Sequence, residues 1–244
     1  MKVTFVGTSC TWYTRNNTSF ILDDNMLFDV SAGNYKHIIK YIDIFNLNAI
    51  FISHWHFDHL GDLNIITTRF IRESERNGRT EKLRVYCKNG TAERIIAQNT
   101  LFLGSEDEKD IDLLKKYVDF IDIDDGFEFD ESGYHIKVYR VDHGKVECFG
   151  FTFEDLSTHK VYAFSGDTRW CENLENMLSI SNVAFVDMAA AKEFPSHLSV
   201  EKFIELSKKY SNCKMVPIHT SDQSLKLGQE RGLEIPSDGD IIEY

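Results

Sequence analysis

One segment, residues 49–63, joins an apolar run to three closely spaced histidines and then to an amphipathic pattern. Ala49–Ile52 is short, apolar and β-prone, which predicts a buried strand, and the apolar spacing from Leu60 onward predicts a helix with one buried face. The loop between them carries four potential metal ligands, His54, His56, Asp58 and His59. This segment constrains the fold most, because it requires a strand, a ligand-bearing loop and a helix in immediate succession.

The ligand types on this loop indicate the class of metal. Imidazole nitrogens with one carboxylate suit zinc and, less exclusively, iron, manganese or cobalt. Four ligands this close in sequence cannot all reach one ion without strain, which predicts that they alternate between two ions. His54 and His56 would bind the first ion, while the next two ligands would bind the second. The alternative is a histidine-rich surface loop, which the flanking strand and helix patterns disfavour.

The sequence of this loop and three residues later in the chain resemble one known family. The segment His54–His59, with the sequence HWHFDH, resembles the HxHxDH signature of the metallo-β-lactamase fold superfamily. That family completes a two-metal site with a later histidine, an aspartate at a strand end and a histidine near the carboxyl terminus. His143, Asp167 and His219 stand in that order here. The resemblance implies an α/β fold, a four-layer αββα sandwich. Since the chain shows no linker or repeat, one metallohydrolase domain is predicted over residues 1–244.

The resemblance also implies how the ligands divide between two divalent transition-metal ions. By the family's pattern, the first ion is bound by His54, His56 and His143, the second by Asp58, His59 and His219, and Asp167 bridges both. Two ions about 3.5–4 Å apart activate water and stabilise the negative charge that develops in a displacement. Zinc is the expected metal, with manganese or iron as alternatives. We also expect Asp58 to orient the attacking water.

His197 is the second predicted catalytic residue, because it stands just before a predicted helix that Ser199 caps. In ribonuclease Z and its phosphodiesterase relatives, a histidine in this position lies beside the scissile phosphate. The resemblance therefore implies that His197 protonates the leaving oxygen or binds a phosphoryl oxygen. A surface histidine with no catalytic role is the alternative. Asp29, followed by Gly33, similarly resembles the family's aspartate motif, which braces the histidine loop.

These features predict a dinuclear metal-dependent hydrolase, specifically a phosphodiesterase for a small, cyclic or short nucleotide-like ester. Ribonuclease Z enzymes carry a long flexible arm for transfer RNA, in many of them between the third-motif histidine and the bridging aspartate. One predicted hairpin fills that short interval here, from His143 to Asp167. Phosphoribosyl cyclic phosphodiesterases of the same branch lack the arm, but their zinc-binding cysteine cluster is not matched by the isolated Cys10.

Two other enzymatic functions stay open. The first is RNA processing of the ribonuclease Z type, and the second is lactone or thioester hydrolysis on the same fold. A non-enzymatic nucleotide-binding module is disfavoured, because every ligand position of the family is filled.

Charge and composition limit the partners. The chain has 39 acidic and 27 basic residues and a formal net charge of -12, which opposes non-specific binding to nucleic acid or anionic membranes. No apolar stretch has the length of a membrane span and no signal-peptide pattern begins the sequence, so a cytoplasmic location is expected. The five cysteines are scattered without a CxxC pair, which indicates neither a disulfide framework nor a thiolate zinc site. The oligomeric state stays open, with a homodimer as one candidate.

The remaining periodicity predicts alternating strands and helices. Strands are predicted at residues 2–6, 18–30 as a hairpin, 83–86, 134–141, 149–153, 161–165, 183–187 and 215–218. Helices are predicted at 60–73, 91–103, 106–117 and 199–210, and before the metal loop with Ile38, Ile39, Ile42 and Phe45 facing inward. Residues 73–80 are predicted as a charged loop, and the acidic residues 119–131 as a solvated strand or hairpin edge.

Overall fold

The computed structural model describes residues 1–11, 13–103 and 108–244. The strands of these residues are β1 (Lys2–Gly7), β2 (Ser19–Leu22), β3 (Met26–Phe28), β4 (Ala49–Phe51), β5 (Leu83–Lys88), β6 (Val118–Ile123), β7 (Glu128–Glu131), β8 (Tyr134–His143), β9 (Val146–Asp155), β10 (Val161–Phe164), β11 (Val183–Asp187), β12 (Lys214–Ile218) and β13 (Ile241–Glu243). They form two sheets, with the orders β13-β1-β2-β3-β4-β5-β6 and β12-β11-β10-β9-β8-β7.

The helices cover the outer faces of the two sheets. They are α1 (Tyr35–Ile38), α2 (Phe57–Leu60), α3 (Leu63–Asn77), α4 (Thr91–Leu103), α5 (Glu108–Tyr117), α6 (Glu172–Ile180), α7 (Val200–Lys209) and α8 (Asp222–Glu230), with a 3-10 helix at Ile44–Asn46. The first five helices pack with the first sheet, and the last three pack with the second sheet. The predicted αββα sandwich is therefore confirmed.

The core between the two sheets is built largely from phenylalanine. Phe28 stacks on Phe51 within the first sheet, with ring centroids 4.6 Å apart, and meets Phe151 of the second sheet edge-on at 6.1 Å. Each fully buried side chain of this size contributes about 1.5–3 kcal/mol to folding. The alternation of inward apolar and outward residues along β8 and β9 follows from the two-residue repeat of a strand. This packing holds the two sheets face to face, and the candidate ligands lie at one edge of the pair.

Parallel strands bring the ligand-bearing loops to one edge of the sandwich. β3, β4 and β5 are parallel neighbours in the first sheet, and β10, β11 and β12 are parallel neighbours in the second. The carboxyl ends of parallel strands lie at the same edge of a sheet, which is where sites form in open α/β sheets. The predicted ligands follow β4, β10 and β12, and His143 ends β8.

The predicted helix before the metal loop is wrong in length and partly wrong in orientation. α1 is a single turn, and the chain reaches a separate 3-10 helix only after Asp43, whose side chain accepts a hydrogen bond from the Phe45 N–H at 3.1 Å. Ile38 and Ile42 are buried as predicted, but Ile39 is 45% exposed. A short polar cap within the segment therefore interrupts what looked like one amphipathic helix.

The bounds of one further helix differ from the prediction. α3 begins at Leu63 and continues to Asn77, so much of the predicted charged loop is helical, and Gly78 ends the helix in the left-handed conformation. The predicted helix 106–117 is described from Glu108, and its first two residues lie outside the described residues.

The acidic segment 119–131 forms edge strands as predicted, one in each sheet, and the second of them pairs with β8 in a hairpin. β6 is an edge strand of the first sheet and β7 an edge strand of the second. Glu131 is buried, where it accepts hydrogen bonds from Arg84 and from the Tyr86 hydroxyl at 2.9 Å. The prediction of a solvated carboxylate was therefore wrong for Glu131, because Arg84 and Tyr86 satisfy its charge and hydrogen bonds.

Among the described residues, no helix combines the length and the apolar character needed to span a bilayer.

Candidate metal centre

The seven predicted ligands come from four separate parts of the chain and meet at one place. Ligand atoms of His54, His56, His143 and Asp167 lie within 4.8 Å of one another, and so do those of Asp58, His59 and His219. These are the two groups that the family's pattern implied, with Asp167 between them. Ligand atoms of Asp167, His197 and His219 form a third group by the same distance criterion.

The Asp167 carboxylate lies at the centre of this cluster. Its Oδ2 atom is 3.1 Å from the Nε2 atom of His219 and 3.3 Å from that of His59. The corresponding distances to His54 and His143 are 3.8 Å and 3.9 Å. One carboxylate oxygen thus faces four imidazole nitrogens, which is the arrangement expected of a bridging ligand.

Hydrogen bonds to the Nδ1 atoms turn the Nε2 atoms toward this centre. The Ser53 hydroxyl donates to Asp29 at 2.8 Å, so it accepts from His54 Nδ1 at 3.0 Å. The Thr18 hydroxyl donates to a carbonyl and so accepts from His219 Nδ1 at 3.1 Å. His143 Nδ1 donates to the Ser196 carbonyl at 2.9 Å.

His59 is oriented by a carboxylate in the same way. Its Nδ1 atom lies 2.6 Å from Asp29 Oδ2, and both residues are fully buried. Asp29 has a left-handed backbone (φ 54°) and also accepts the Ser53 N–H at 2.8 Å. The aspartate thus braces the histidine loop as the resemblance implied. Such outer contacts fix the tautomer and orientation of a metal-binding histidine.

The donor set fits divalent cations. The Nε2 atoms of His54 and His59 are buried and make no hydrogen bond with any described residue. A buried polar atom without a partner is costly, and such atoms are uncommon in proteins. Because these nitrogens face the Asp167 carboxylate, a cation among them would satisfy both kinds of ligand at once. Imidazole nitrogens with carboxylate oxygens are a donor set that zinc and similar metals prefer.

The pKa shifts describe the same cluster in its metal-free form. Burial and the neighbouring His59 hold the pKa of His54 well below its usual value. Burial opposes a charge on His59, but Asp167 and Asp29 raise its pKa well above the usual value. The pKa of Asp167 is lowered well below its usual value, since His219 and His59 outweigh burial. A cation bound at the Nε2 atom of His59 would take the place of a proton there.

The backbone has an unusual conformation at or next to two of the predicted ligands, Asp167 and His219. Gly166, directly before Asp167, has φ +58°, and a Cβ atom there would lie 2.5 Å from the Phe149 carbonyl oxygen. Only glycine fits this turn without displacing β9. His219 itself has a left-handed backbone (φ 55°), which a non-glycine residue adopts at a cost of about 1–3 kcal/mol. Strained backbone at a ligand position is typical of a functional site.

His197 lies beside the cluster and is held by a carboxylate that the sequence analysis missed. Its ring stacks near that of His219, with centroids 5.6 Å apart, and its Nδ1 atom donates to Asp187 at 2.8 Å. Burial lowers the pKa of His197, but the charge and hydrogen bond of Asp187 outweigh it and raise the pKa to about 9. The structure therefore gives His197 a partner, which a solvated surface histidine would lack.

Asp187 is fully buried at the end of β11. Besides His197, its carboxylate accepts the N–H of Thr168 at 2.9 Å and that of Ala189 at 2.8 Å. It therefore ties together the loop that bears Asp167, the wall of the cleft and His197. A carboxylate at the end of an apolar strand was the available signal, because Asp167 likewise follows an apolar strand, three residues after β10 ends.

An open cleft of about 980 Å³ leads to the cluster. Its floor includes His56, Asp58, Asp167, His197 and His219. Its walls come from the loop between β1 and β2, the loop after β3, the histidine loop, the segment after β11 and the start of α8. They consist of Cys10, Thr11, Tyr13, Asn17, Ala32, Phe57, Ala189, Ala190, Ala191, Lys192, Glu193, Phe194, Ser221 and Gln223. The volume lies at the upper end of the range for small-molecule sites, about 300–1,000 Å³.

Comparison with known protein families agrees with this geometry. The family model described as "Beta-lactamase superfamily domain" matches residues 25–220, which include all seven predicted ligands. The chain belongs to the beta-lactamase superfamily. This confirms the resemblance found in the histidine loop, and membership in the superfamily implies divalent metal ions at the His/Asp cluster.

The sequence relatives include several ribonuclease Z proteins. Ribonuclease Z from Staphylococcus carnosus is 27% identical over 168 residues, which are 65% of this chain and 51% of that protein. Ribonuclease Z from Myxococcus xanthus is 29% identical over 156 residues, which are 62% of this chain and 47% of that protein. This chain thus spans about half the length of these curated relatives. Their sequences support the ribonuclease Z-like branch of the superfamily.

Solved structures share the fold over the whole chain. The metallo-beta-lactamase fold protein YhfI from Bacillus subtilis is 15% identical with a TM-score of 0.76, covering 100% of this chain and 99% of that one. A diphosphatase from the PhnP family is 17% identical with a TM-score of 0.75, covering 100% and 97%. At such identities the likeness shows the fold alone.

Proposed function

We propose that this superfamily member is a dinuclear metal-dependent phosphodiesterase that hydrolyses a small, cyclic or short nucleotide-like phosphodiester. One observation carries the proposal: a cleft of small-molecule size opens onto the cluster of seven predicted metal ligands, four of which line it, with the His197–Asp187 pair beside them. The relatives named ribonuclease Z support phosphodiester chemistry, since a ribonuclease hydrolyses phosphodiester bonds.

Two divalent ions, with zinc as the expected metal, fit the two ligand groups. His54, His56 and His143 would bind one ion and Asp58, His59 and His219 the other, with Asp167 shared between them. When bound, the ions supply a lower pKa for water and positive charge that stabilises phosphoryl oxygens in the transition state. The Nδ1 contacts of His54, His59, His143 and His219 hold these four rings in place before substrate arrives.

Asp58 and His197 carry the proposed proton chemistry. His59 and His219 outweigh burial and lower the pKa of Asp58, so its carboxylate is ionised and can accept a hydrogen bond from the attacking water. His197 has its Nδ1 atom bound to Asp187, which leaves Nε2–H to protonate the leaving oxygen or bind a phosphoryl oxygen. Asp187 acts as a positioning residue, because its carboxylate binds His197 and the backbone N–H groups of Thr168 and Ala189.

Ribonuclease Z-type RNA processing is the second candidate, and the relatives favour it. The interval that carries the transfer-RNA arm in many such enzymes is described throughout and holds no arm here. β9 and β10 are joined by a tight turn, in which Asp155 accepts the N–H groups of Ser157 and Thr158. A small phosphodiester is therefore the preferred substrate class. We expect such an enzyme to act in the cytoplasm, as the sequence predicted.

The ester class is testable with one panel of substrates. We expect metal-loaded protein to hydrolyse bis(p-nitrophenyl) phosphate and nucleoside 2′,3′-cyclic phosphates faster than a lactone or an acyl thioester. The reason is that the side chains that would hold two divalent ions lie beside His197, and such ions would supply positive charge to a phosphoryl group. The measurement is kcat/KM for each ester with protein of known metal content. Faster turnover of the lactone or thioester would replace the phosphodiesterase proposal with carboxyl-ester chemistry.

We also expect precursor transfer RNA to be a poor substrate. The protein has a formal net charge of -12, which repels a polyanion, and the interval 143–167 holds no arm that could bind one. The measurement is 3′-end cleavage of a precursor transcript at physiological salt, beside a small phosphodiester at equal enzyme concentration. Efficient cleavage of the transcript would favour the ribonuclease Z function instead.

A further inference from the structure

Among the described residues, three exposed aromatic side chains line the cleft. Phe57 is 72% exposed, Phe194 is 53% exposed and Tyr13 is 37% exposed, and all three line the same cleft. A single exposed apolar side chain is ordinary in a folded protein. A group of them around one concave site instead marks a surface that binds an apolar partner. The aromatic rim, defined as these three residues, therefore requires an explanation.

The rim lies directly beside the reacting groups. Phe57 stands between the ligands His56 and Asp58 at the start of α2. Phe194 stands three residues before His197, and their ring centroids are 5.9 Å apart. A group attached to a phosphate held at the centre would therefore meet these rings.

Backbone contacts hold Phe57 in place. The Phe57 carbonyl accepts the N–H of Gly61 at 2.9 Å and that of Ala32 at 3.3 Å. A Cβ atom on Gly61 would lie 2.6 Å from that carbonyl oxygen, so the close turn requires glycine. The backbone of α2 is thereby anchored, while the side chain of Phe57 is exposed to solvent. Such preorganisation lowers the entropic cost of binding.

The segment that carries Phe194 is also fixed, at both ends. Ala189 donates its N–H to Asp187 at 2.8 Å, and Ala190 pairs with the backbone of Leu198 and Val200 at 3.2 Å and 3.0 Å. Three consecutive alanines, residues 189–191, form the adjoining wall of the cleft. Their small side chains leave space between the metal centre and the Phe194 ring.

We propose that Phe57 and Phe194 form a stacking subsite for a planar aromatic group of the substrate, such as a nucleobase. This inference rests on the proposed phosphodiesterase function and narrows its substrate class to esters that carry such a ring. Aromatic side chains stack on any base, because every base offers a π-face. The subsite therefore selects for the presence of a ring without reading its identity.

A matched pair of esters tests the subsite. The pair consists of uridine 2′,3′-cyclic phosphate and the same sugar cyclic phosphate with hydrogen in place of the base. We expect wild-type protein to prefer the base-bearing ester. Phe57→Ala and Phe194→Ala should each lower kcat/KM for it on the order of 10- to 100-fold, through KM. Turnover of the base-free ester should change little in the same variants.

Substituted variants separate stacking from general apolar contact and from folding. Phe194→Trp should keep the preference for the base, whereas Phe194→Leu should lose most of it. Leu156→Ala, at a 46% exposed apolar residue outside the cleft, should leave both esters unaffected. Equal losses on both esters, or equal wild-type rates for the two, would overturn the subsite while phosphodiester hydrolysis itself stands.

A binding measurement tests the stacking subsite even if neither ester is hydrolysed. Calorimetry of metal-loaded protein would compare uridine 3′-monophosphate, phenyl phosphate and the base-free sugar phosphate. Tighter binding of both ring-bearing ligands, lost in Phe194→Ala, would support the subsite even if the proposed reaction is wrong. Tighter binding of the nucleotide alone would identify the group as a nucleobase and not any aryl ring. Equal affinities for all three ligands would overturn the inference.

Discussion

Asp167→Ala should abolish most phosphodiester hydrolysis and reduce the bound metal from about two ions per chain to one or fewer. The Asp167 carboxylate is the group that faces imidazoles of both ligand groups, at 3.1–3.9 Å from four Nε2 atoms. In the proposed division of ligands, its removal would take a ligand from each ion. We expect turnover to fall roughly 10³-fold or more, since metal stabilisation of developing charge is worth several kcal/mol.

Elemental analysis and kinetics on the same samples check this prediction. Asp130→Ala is a matched control, because it removes an exposed carboxylate whose partner His135 lies on the surface, away from the ligand groups. It should keep both ions and full activity. Asp167→Ala protein that keeps two ions and wild-type turnover would rule out the bridging role, and circular dichroism would show whether each variant is folded.

The sequence predicted the histidine loop and its flanking strand and helix because the signals there are local. The strand, loop and helix around His54–His59 follow from short-range apolar spacing. The resemblance then supplied three distant ligands, and the structure brings them to the same edge. Ligands that end strands are easily placed, since the sandwich aligns the carboxyl ends of its parallel strands. The family pattern therefore gave information that no periodicity in this chain contains.

Other features could not be predicted because they depend on contacts between distant residues. Asp187 appeared as the last residue of an apolar strand, and only the fold brings it within 2.8 Å of His197. Glu131 appeared solvated, and only the packing of the two sheets buries it near Arg84. Ile39 matched a helical face, but the chain leaves the helix one residue earlier. In each case a polar contact or cap overrode the local pattern.

His197→Ala should keep its metal ions and its fold but lose roughly 10²- to 10⁴-fold in turnover, the usual range for a positioned acid or base. The loss should be large for a nucleoside 2′,3′-cyclic phosphate, whose alkoxide leaving group needs a proton. It should be smaller for bis(p-nitrophenyl) phosphate, whose leaving group departs without one. Asp187→Asn should give a weaker form of the same pattern, because the Nδ1 hydrogen bond at 2.8 Å orients the ring of His197.

Three outcomes distinguish the roles open to His197. A proton donor gives unequal losses on the two esters with unchanged metal content. A metal ligand, which the group formed with Asp167 and His219 would permit, gives parallel losses of metal and of turnover on both esters. A purely structural residue changes the unfolding temperature and leaves the ratio of the two turnover rates at its wild-type value. Because the stacked ring of His197 lies beside the ligand His219 at 5.6 Å, metal content must be measured on every kinetic sample. Unchanged kinetics on both esters would remove His197 from the mechanism and, with it, the main structural reason for preferring phosphodiesters to lactones or thioesters.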